Sequence, residues 1–326
     1  MLKEKGMIPI LFINFQLVLN RRLQLKYLNF RMITKILYTL FIKPITLLPF
    51  KILYLFSDFL YLVLYRLLGY RVSVVRSNLK NSFPEKTDKE IKDIEKKFYA
   101  HLCDLIVESF KVYSITEKEF FEHIEYDDNG LIDKYKDRHI CVIGTHFNNF
   151  EFAATSATRA VGRTVHALYS KLSNDFFNTK MKESRSQFGT EFIEKHDAKA
   201  FFAEKHDNPI AVIFGADQSP TYSKNVIWTE FLNQETACFF GPEKFAKELD
   251  MVVIFTKTIK VKRGYYKLTF DVVTEDPLNE EHGAITERHN RYLEKVIQEN
   301  PQYWLWTHKR WKRKRNEDEV VLPPSF

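Results

Sequence analysis

Short apolar segments alternate with amphipathic ones from residue 139 onwards, and this alternation constrains the fold more than any other feature of the chain. Short runs rich in β-branched residues predict strands, and apolar residues at helical spacing predict helices. We predict strands at 139–144, 163–168, 190–193, 210–215, 251–260 and 265–274. We predict helices at about 150–161, 174–188, 197–205, 241–249 and 283–299. Alternating strands and helices form parallel pairs, whereas the turn at 261–264 makes the last two strands an antiparallel hairpin. The sequence therefore predicts an α/β fold with a mixed, mostly parallel sheet flanked by helices.

A histidine follows the first predicted strand directly. The strand ends in Gly144-Thr145, His146 comes next, and Glu151 lies five residues further on. His146 is therefore in a strand-to-helix turn, where α/β sheets expose catalytic groups. A neutral imidazole held by a carboxylate takes a proton from an alcohol, and the carboxylate then stabilises the imidazolium. Two interpretations of Glu151 stay open: Asn148 and Glu151 have the spacing of a capping box, or His146 folds back towards the first turn of the helix and pairs with Glu151 for catalysis.

Asp217 and Gln218 follow the apolar run at 210–215. If that strand runs parallel to the one before His146, both residues open onto the same edge of the sheet. The alternative is that Asp217 only initiates the turn into Ser219-Pro220, where aspartate is common.

Residues 36–70 are the most apolar part of the chain, but prolines, lysines and Asp58 interrupt them. A transmembrane helix needs about 20 consecutive apolar residues. Two membrane-associated arrangements stay open: one span over about 45–65 that tolerates Asp58, or two short helices lying in the interface. A buried core helix is a third interpretation, and we expect membrane attachment by a helix or hairpin.

The remaining chain divides around this segment. Residues 1–35 are basic and lack a signal-peptide cleavage site, so they are either an extension or the result of a misplaced start codon, with Met32 as the alternative start. Residues 71–315 form the main domain, which begins with predicted helices over 72–113, and residues 316–326 form a tail.

The net charge of +7 and the pI near 9.0 indicate an acidic partner, such as anionic lipid, nucleic acid or an acidic carrier protein. The basic segment 307–315, beside Trp304, Trp306 and Trp311, suits a lipid headgroup interface. Nucleic acid is its rival, although no nucleic-acid fold signature accompanies it. Three scattered cysteines are typical of reduced thiols in a domain that faces the cytosol.

Several common kinds of site are missing from the sequence. It has no Gly-x-Ser-x-Gly elbow, P-loop, Gly-x-Gly-x-x-Gly or His-Glu-x-x-His motif, which argues against serine hydrolases, nucleotide folds and zinc proteases. The Glu-Lys-His-Asp stretches at 194–197 and 204–207 place their histidines ten residues apart, too far for a usual zinc pair. We therefore expect no metal site.

The sequence around His146, GTHFNNFE, resembles the His-x4-Asp/Glu box of glycerolipid-type acyltransferases. The wider context, from about Ile36 to Arg315, resembles the bacterial lipid A biosynthesis (late acyltransferase) family. The blocks that carry this resemblance are, in order, Gly69-Tyr70-Arg71, RSNLKNSFP at 76–84, the His146 box, Ala216-Asp217-Gln218, Gly241-Pro242-Glu243-Lys244 and NPQYWLWTHKRWK at 300–312.

The resemblance implies an acyltransferase of the bacterial inner membrane, with its catalytic domain on the cytoplasmic side. It would move a fatty acyl chain from acyl carrier protein to a hydroxyl of an anionic glycolipid, a lipid A precursor, without a metal or dissociable cofactor and without nucleic acid as partner. His146 would be the general base and Glu151 its orienter, while Arg185, Asp217 and Gln218 would place the acceptor.

Lys171 is a weaker candidate for gripping a phosphate. Family members often carry Tyr followed by Arg or Lys and then Pro, and here the lysine is displaced by one position and the proline is missing. Two other functions stay open: the same chemistry on a lysophospholipid or aminoacyl lipid, and a non-catalytic basic membrane module that binds lipid or nucleic acid.

Overall fold

The computed structural model describes residues 33–220, 225–316 and 319. Most of the predicted N-terminal extension and tail therefore lies outside the described residues. The strands are β1 (Ile124–Asp127), β2 (Ile140–Gly144), β3 (Val165–Tyr169), β4 (Glu191–Glu194), β5 (Ala211–Gly215), β6 (Val226–Phe231), β7 (Gln234–Phe239), β8 (Val252–Lys262) and β9 (Tyr265–Thr274).

Seven of these strands form one sheet in the order β1-β9-β8-β2-β5-β3-β4. All neighbouring pairs in it are parallel except β8 and β9, which form the antiparallel hairpin. The predicted mixed, mostly parallel sheet is confirmed. The sequence prediction missed β1, which has only four residues, and the separate hairpin β6–β7. That hairpin turns through Leu232 and Asn233, both with positive φ, instead of through the Asn-Gly or Asp-Gly pair that signals such turns.

Helices cover both faces of the sheet. From Lys43 onwards, the α-helices of the described residues are α1 (Lys43–Thr46), α2 (Phe50–Tyr61), α3 (Val72–Ser82), α4 (Asp88–Lys111), α5 (Glu117–Phe121), α6 (Leu131–Lys134), α7 (Phe150–Thr155), α8 (Ala157–Val161), α9 (Asp175–Ser186), α10 (Ala198–Ala203), α11 (Gly241–Glu248) and α12 (Ala284–Glu299). The predicted helix at 150–161 is two helices. Ser156 separates them, and its hydroxyl donates to the carbonyl of Phe152, a bond that bends helices.

The core lies on both sides of the central strand β2. Cys141 and Ile143 pack into one hydrophobic cluster, whereas Ile140 and Val142 pack into the other, as the two-residue period of a strand requires. The first cluster includes α4 residues and the C-terminal Trp304 and the second includes α8 residues, so β2 is covered on both faces.

The apolar N-terminal segment forms two helical stretches, Ile33–Thr46 and Phe50–Leu67, bent by 115° at the break that contains Pro49. Among the described residues no single helix is long and apolar enough to cross a membrane, although this bent pair passes a test of length and composition together. Residues 45–65 are therefore not one continuous helix, because the chain turns at the break. The geometry corresponds to the second predicted arrangement, two short helices.

One face of α2 is docked on the globular domain. Ser57 donates to buried Asp104 at 2.8 Å, and Asp58 pairs with Arg263 at 2.6 Å. Arg263 also pairs with Asp104, so one guanidinium joins α2, α4 and the turn between β8 and β9. Asp58, which interrupts the apolar segment, therefore helps to hold α2 against the globular domain. The opposite face of the segment exposes a row of large apolar side chains, including Ile52, Leu55, Phe56, Phe59 and Leu62.

Candidate active site

Two neighbouring parallel strands bring a histidine and an aspartate together. β2 and β5 pair in register, with Gly144 opposite Gly215. His146 and Asp217 each lie two residues beyond these glycines. Because the strands are parallel and end at the same level, both residues lie at one edge of the sheet, as the sequence predicted for parallel strands.

The Asp217 carboxylate holds the His146 ring and backbone at once. His146 Nδ1 lies 2.7 Å from Asp217 Oδ1, and the backbone N–H of His146 donates to Oδ2 at 2.8 Å. The indole N–H of Trp304 donates to Oδ2 at 2.8 Å. Asp217 is only 4% exposed. Since the carboxylate accepts the Nδ1 proton, Nε2 is the basic nitrogen of the neutral ring.

Electrostatics favour an imidazolium at this position. Burial opposes protonation of His146, but the Asp217 carboxylate outweighs it and raises the pKa of the ring above its ordinary value. Burial also opposes ionisation of Asp217, yet His146 and the hydrogen bonds from the ring, its backbone and Trp304 hold the pKa of the carboxyl well below its usual range. The pair therefore consists of a permanent carboxylate and a basic histidine.

Glu151 does not make the expected contact with His146. It forms a two-pronged ion pair with Arg185 of α9: Arg185 Nε donates to Oε2 at 2.7 Å, and Nη2 binds Oε1. Glu151 reaches His146 only through space, where its charge adds to the raised pKa of the ring. The carboxylate that orients the ring is Asp217, which the family resemblance had assigned to the acceptor.

The predicted capping box is also wrong. Asn148 has a left-handed backbone, with φ of 55°, and its N–H donates to the carbonyl of Tyr303. This conformation shifts the start of the helix by one residue, so that Asn149 caps α7 by accepting the N–H of Phe152. Glu151 falls on the second helical position and turns towards Arg185.

A cavity of about 610 Å³ opens beside His146. At the edge where the strands end, charged and imidazole side chains line it: His146, Glu151, Arg185, Lys195, His308 and Lys312. Between the sheet and helices α7 and α8 its lining is apolar and includes Ala153, Ala154, Ala157, Ala160, Val142 and Ile213. Because the helical residues are small, space remains between the helices and the sheet. The cavity suits a ligand with a polar end and a long apolar part.

Of the two remaining predicted substrate-binding residues, one lines the cavity and the other does not. Gln218 lines the cavity. Lys171 is not among the lining residues, and its ammonium pairs with Asp175 at 3.4 Å. Lys195 lines the cavity instead, lies over the ring of Phe239, and has its pKa lowered by burial.

Two of the three C-terminal tryptophans lie in the interior and not at the predicted headgroup interface. Trp304 is 3% exposed and Trp306 is fully buried, so neither lies at a headgroup interface. Arg310, from the same basic segment, is buried beside the thiol of Cys238. His308 accepts the N–H of Ser219 through Nε2, and burial lowers its pKa to about 4. These residues of the basic segment therefore make buried contacts near Asp217 and do not form a surface charge cluster.

The first Glu-Lys-His-Asp stretch brings the side chains of Glu194, His196 and Asp197 within 4.8 Å of one another at the end of β4. His196 and Asp197 are exposed, and exposed acidic groups commonly gather in this way without an ion. The expectation that the protein uses no metal stays a prediction.

A model of the family described as bacterial lipid A biosynthesis acyltransferase matches residues 22–313. The match begins upstream of the first block that the sequence motifs indicated and includes His146, Glu151, Arg185 and Asp217. No curated protein matches the chain.

The raised pKa of His146 can be measured by titration. In protein with ¹⁵N-labelled histidine, we expect the pKa of His146 to lie above 6.5, and Asp217→Asn to lower it because only the more distant charge of Glu151 then opposes burial. Glu191→Gln is the matched control, since it removes the carboxylate beside His166 and should leave the His146 titration unchanged. An unshifted His146 titration in Asp217→Asn would contradict the account.

Proposed function

The chain belongs to the bacterial lipid A biosynthesis acyltransferase family, and from this premise we propose that it transfers a fatty acyl chain from acyl carrier protein to a hydroxyl of a lipid A precursor. The observation that carries the proposal is the His146–Asp217 pair beside a cavity with a charged edge and an apolar interior. The base and the space for the chain lie in one place. Residues 71–315 are the proposed catalytic domain.

His146 acts as the general base. Nε2 takes the proton of the acceptor hydroxyl while the oxygen of that hydroxyl attacks the thioester carbonyl of the donor. The tetrahedral intermediate collapses, the carbon–sulfur bond breaks, and the leaving thiolate takes the proton back from the imidazolium. Asp217 keeps the ring in the required tautomer and stabilises its charge, as the aspartate of a Ser-His-Asp triad does. The acyl group passes directly to the acceptor, so no enzyme nucleophile is needed.

The apolar part of the cavity receives the acyl chain. Each methylene removed from water contributes about 0.8 kcal/mol to binding, so a long chain supplies enough energy to hold the thioester beside His146. Alanines on α7 and α8 leave the room that larger side chains would fill.

The charged edge of the cavity receives the anionic acceptor. Arg185 is held rigidly by Glu151, which supports its guanidinium in one orientation. Lys195 and Lys312 add positive charge to the same lining. Lys195 is a better candidate for contacting a phosphate than Lys171, which lies outside the lining and pairs with Asp175.

The first test is acyl transfer by the purified protein, with acyl-loaded carrier protein as donor and a lipid A precursor as acceptor. We expect His146→Ala to lower kcat on the order of 10²- to 10⁴-fold because it removes the general base. His196→Ala, at an exposed histidine outside the cavity lining, is the control and should keep full activity. Transfer only to a lysophospholipid or aminoacyl lipid would contradict the proposed lipid A precursor as the acceptor. An active His146→Ala variant would overturn the general-base mechanism.

The exposed face of the N-terminal helices supports a proposal of membrane attachment. Its apolar side chains are directed away from the docked face, as in helices that lie in the membrane interface. We propose that residues 36–70 hold the protein on the cytoplasmic side of the inner membrane, where a lipid acceptor and a soluble carrier protein meet at one site.

We expect Leu55→Asp combined with Phe59→Asp to weaken binding to vesicles on the order of 100-fold, since a buried Leu or Phe is worth about 1.5–3 kcal/mol. Both side chains are exposed, so folding should be preserved. Leu278→Asp, at an exposed leucine in the turn after β9, is the matched control and should bind normally. Equal vesicle co-sedimentation of the double variant and the control would contradict attachment through this face.

A further inference from the structure

A buried carboxylate on α4 connects the N-terminal helix to the catalytic turn. Glu108 is fully buried in the middle of the protein. Its Oε1 accepts the hydroxyl of Tyr54 at 2.8 Å. Its Oε2 accepts the hydroxyl of Tyr266 and the side-chain amide of Asn149, both at 2.7 Å. Four elements therefore meet at one side chain: α2, α4, β9 and the turn that precedes α7.

Asn149 gives this network its link to the site. Its amide donates to Glu108, while its carbonyl oxygen accepts the N–H of Phe152 and begins α7. Asn149 lies three residues after His146 and two before Glu151. Its orientation therefore sets both the end of the His146 turn and the first turn of the helix that presents Glu151 to Arg185.

Tyr54 gives the network its link to the membrane-facing segment. It lies on α2, whose outer face carries the exposed apolar side chains. Removal of α2 would leave one oxygen of Glu108 without its donor. Burial already raises the pKa of this carboxyl to about 7, so the loss would favour a protonated Glu108 that no longer accepts from all its neighbours. Asn149 would then lose its partner as well.

We infer that Glu108 is a positioning residue for the His146 turn, and that the Tyr54–Glu108–Asn149 chain makes the catalytic geometry depend on the seating of α2. The inference rests on the proposed acyl transfer for its kinetic consequences. A buried carboxylate contributes little to the stability of the fold, because well-packed apolar residues in its place often stabilise a protein equally well or better. Three side-chain donors from three other elements fit a connecting role.

The same protein offers a matched control. The hydroxyl of Tyr65 donates to Glu95 at 2.9 Å, another fully buried carboxylate on α4. Arg76 binds both oxygens of Glu95, at 2.9 and 2.8 Å, and Glu95 makes no bond to the His146 turn within the described residues. Tyr65→Phe thus removes the same kind of hydrogen bond between the same two regions without reaching the site.

The test compares Tyr54→Phe with Tyr65→Phe in the full chain. We expect both variants to lower the melting temperature by a few degrees and to bind vesicles normally. Only Tyr54→Phe should lower kcat, by about tenfold with KM little changed, because small misplacement of a catalytic group slows the chemical step. In a Glu108→Gln background, where the carboxylate is already gone, Tyr54→Phe should lower kcat much less.

A second readout does not depend on turnover. Tyr54→Phe should shift the ¹⁵N signals of the His146 ring, and Tyr65→Phe should leave them in place. If the wild type transfers no acyl group, the proposed function fails and this readout still decides the inference. Equal kcat values and unmoved His146 signals in both tyrosine variants would show that Glu108 is structural only.

Discussion

A single buried charge, the carboxylate of Asp217, organises the catalytic end of the sheet. An unpaired carboxylate in the interior would cost several kcal/mol, so it requires donors on both oxygens. The His146 ring and backbone supply two of them and the Trp304 indole a third. The donors come from the turn after β2 and from the C-terminal segment, and Asp217 itself follows β5. The carboxylate therefore fixes three distant parts of the chain relative to one another.

The C-terminal segment owes its buried position to this arrangement. Trp304 pairs with Phe147 as an isolated β-bridge, and the carbonyl of Tyr303 accepts the N–H of Asn148. Both contacts hold the residues directly after His146. Backbone hydrogen bonds therefore hold the His146 turn on one side and Asp217 holds it on the other. The imidazole of His146 needs this fixed position because it has to receive a proton and return it.

The sheet and the meeting of His146 with Asp217 were predictable because they depend on local patterns. Two short apolar runs that each end in glycine become parallel neighbours, and the residues after them must share an edge. The partner of Glu151 was not predictable in this way. Glu151 and Arg185 lie on different helices, 34 residues apart, and their contact depends on how α7 and α9 are rotated about their axes. The left-handed backbone of Asn148 sets that rotation for α7, and no residue pattern in the sequence predicted this conformation. The prediction for Trp304 and Trp306 was wrong for a related reason: tryptophans among basic residues are typical of a membrane interface, whereas the contacts of these two rings lie in the interior.

The central claim is that His146 and Asp217 act as one unit in acyl transfer. The most direct measurement is kcat for His146→Ala, Asp217→Asn and the variant that carries both. If the pair is a unit, each single change lowers kcat on the order of 10²-fold or more, and the double variant is little slower than the worse single one. Losses that multiply in the double variant would show that the two residues act independently and would contradict the account.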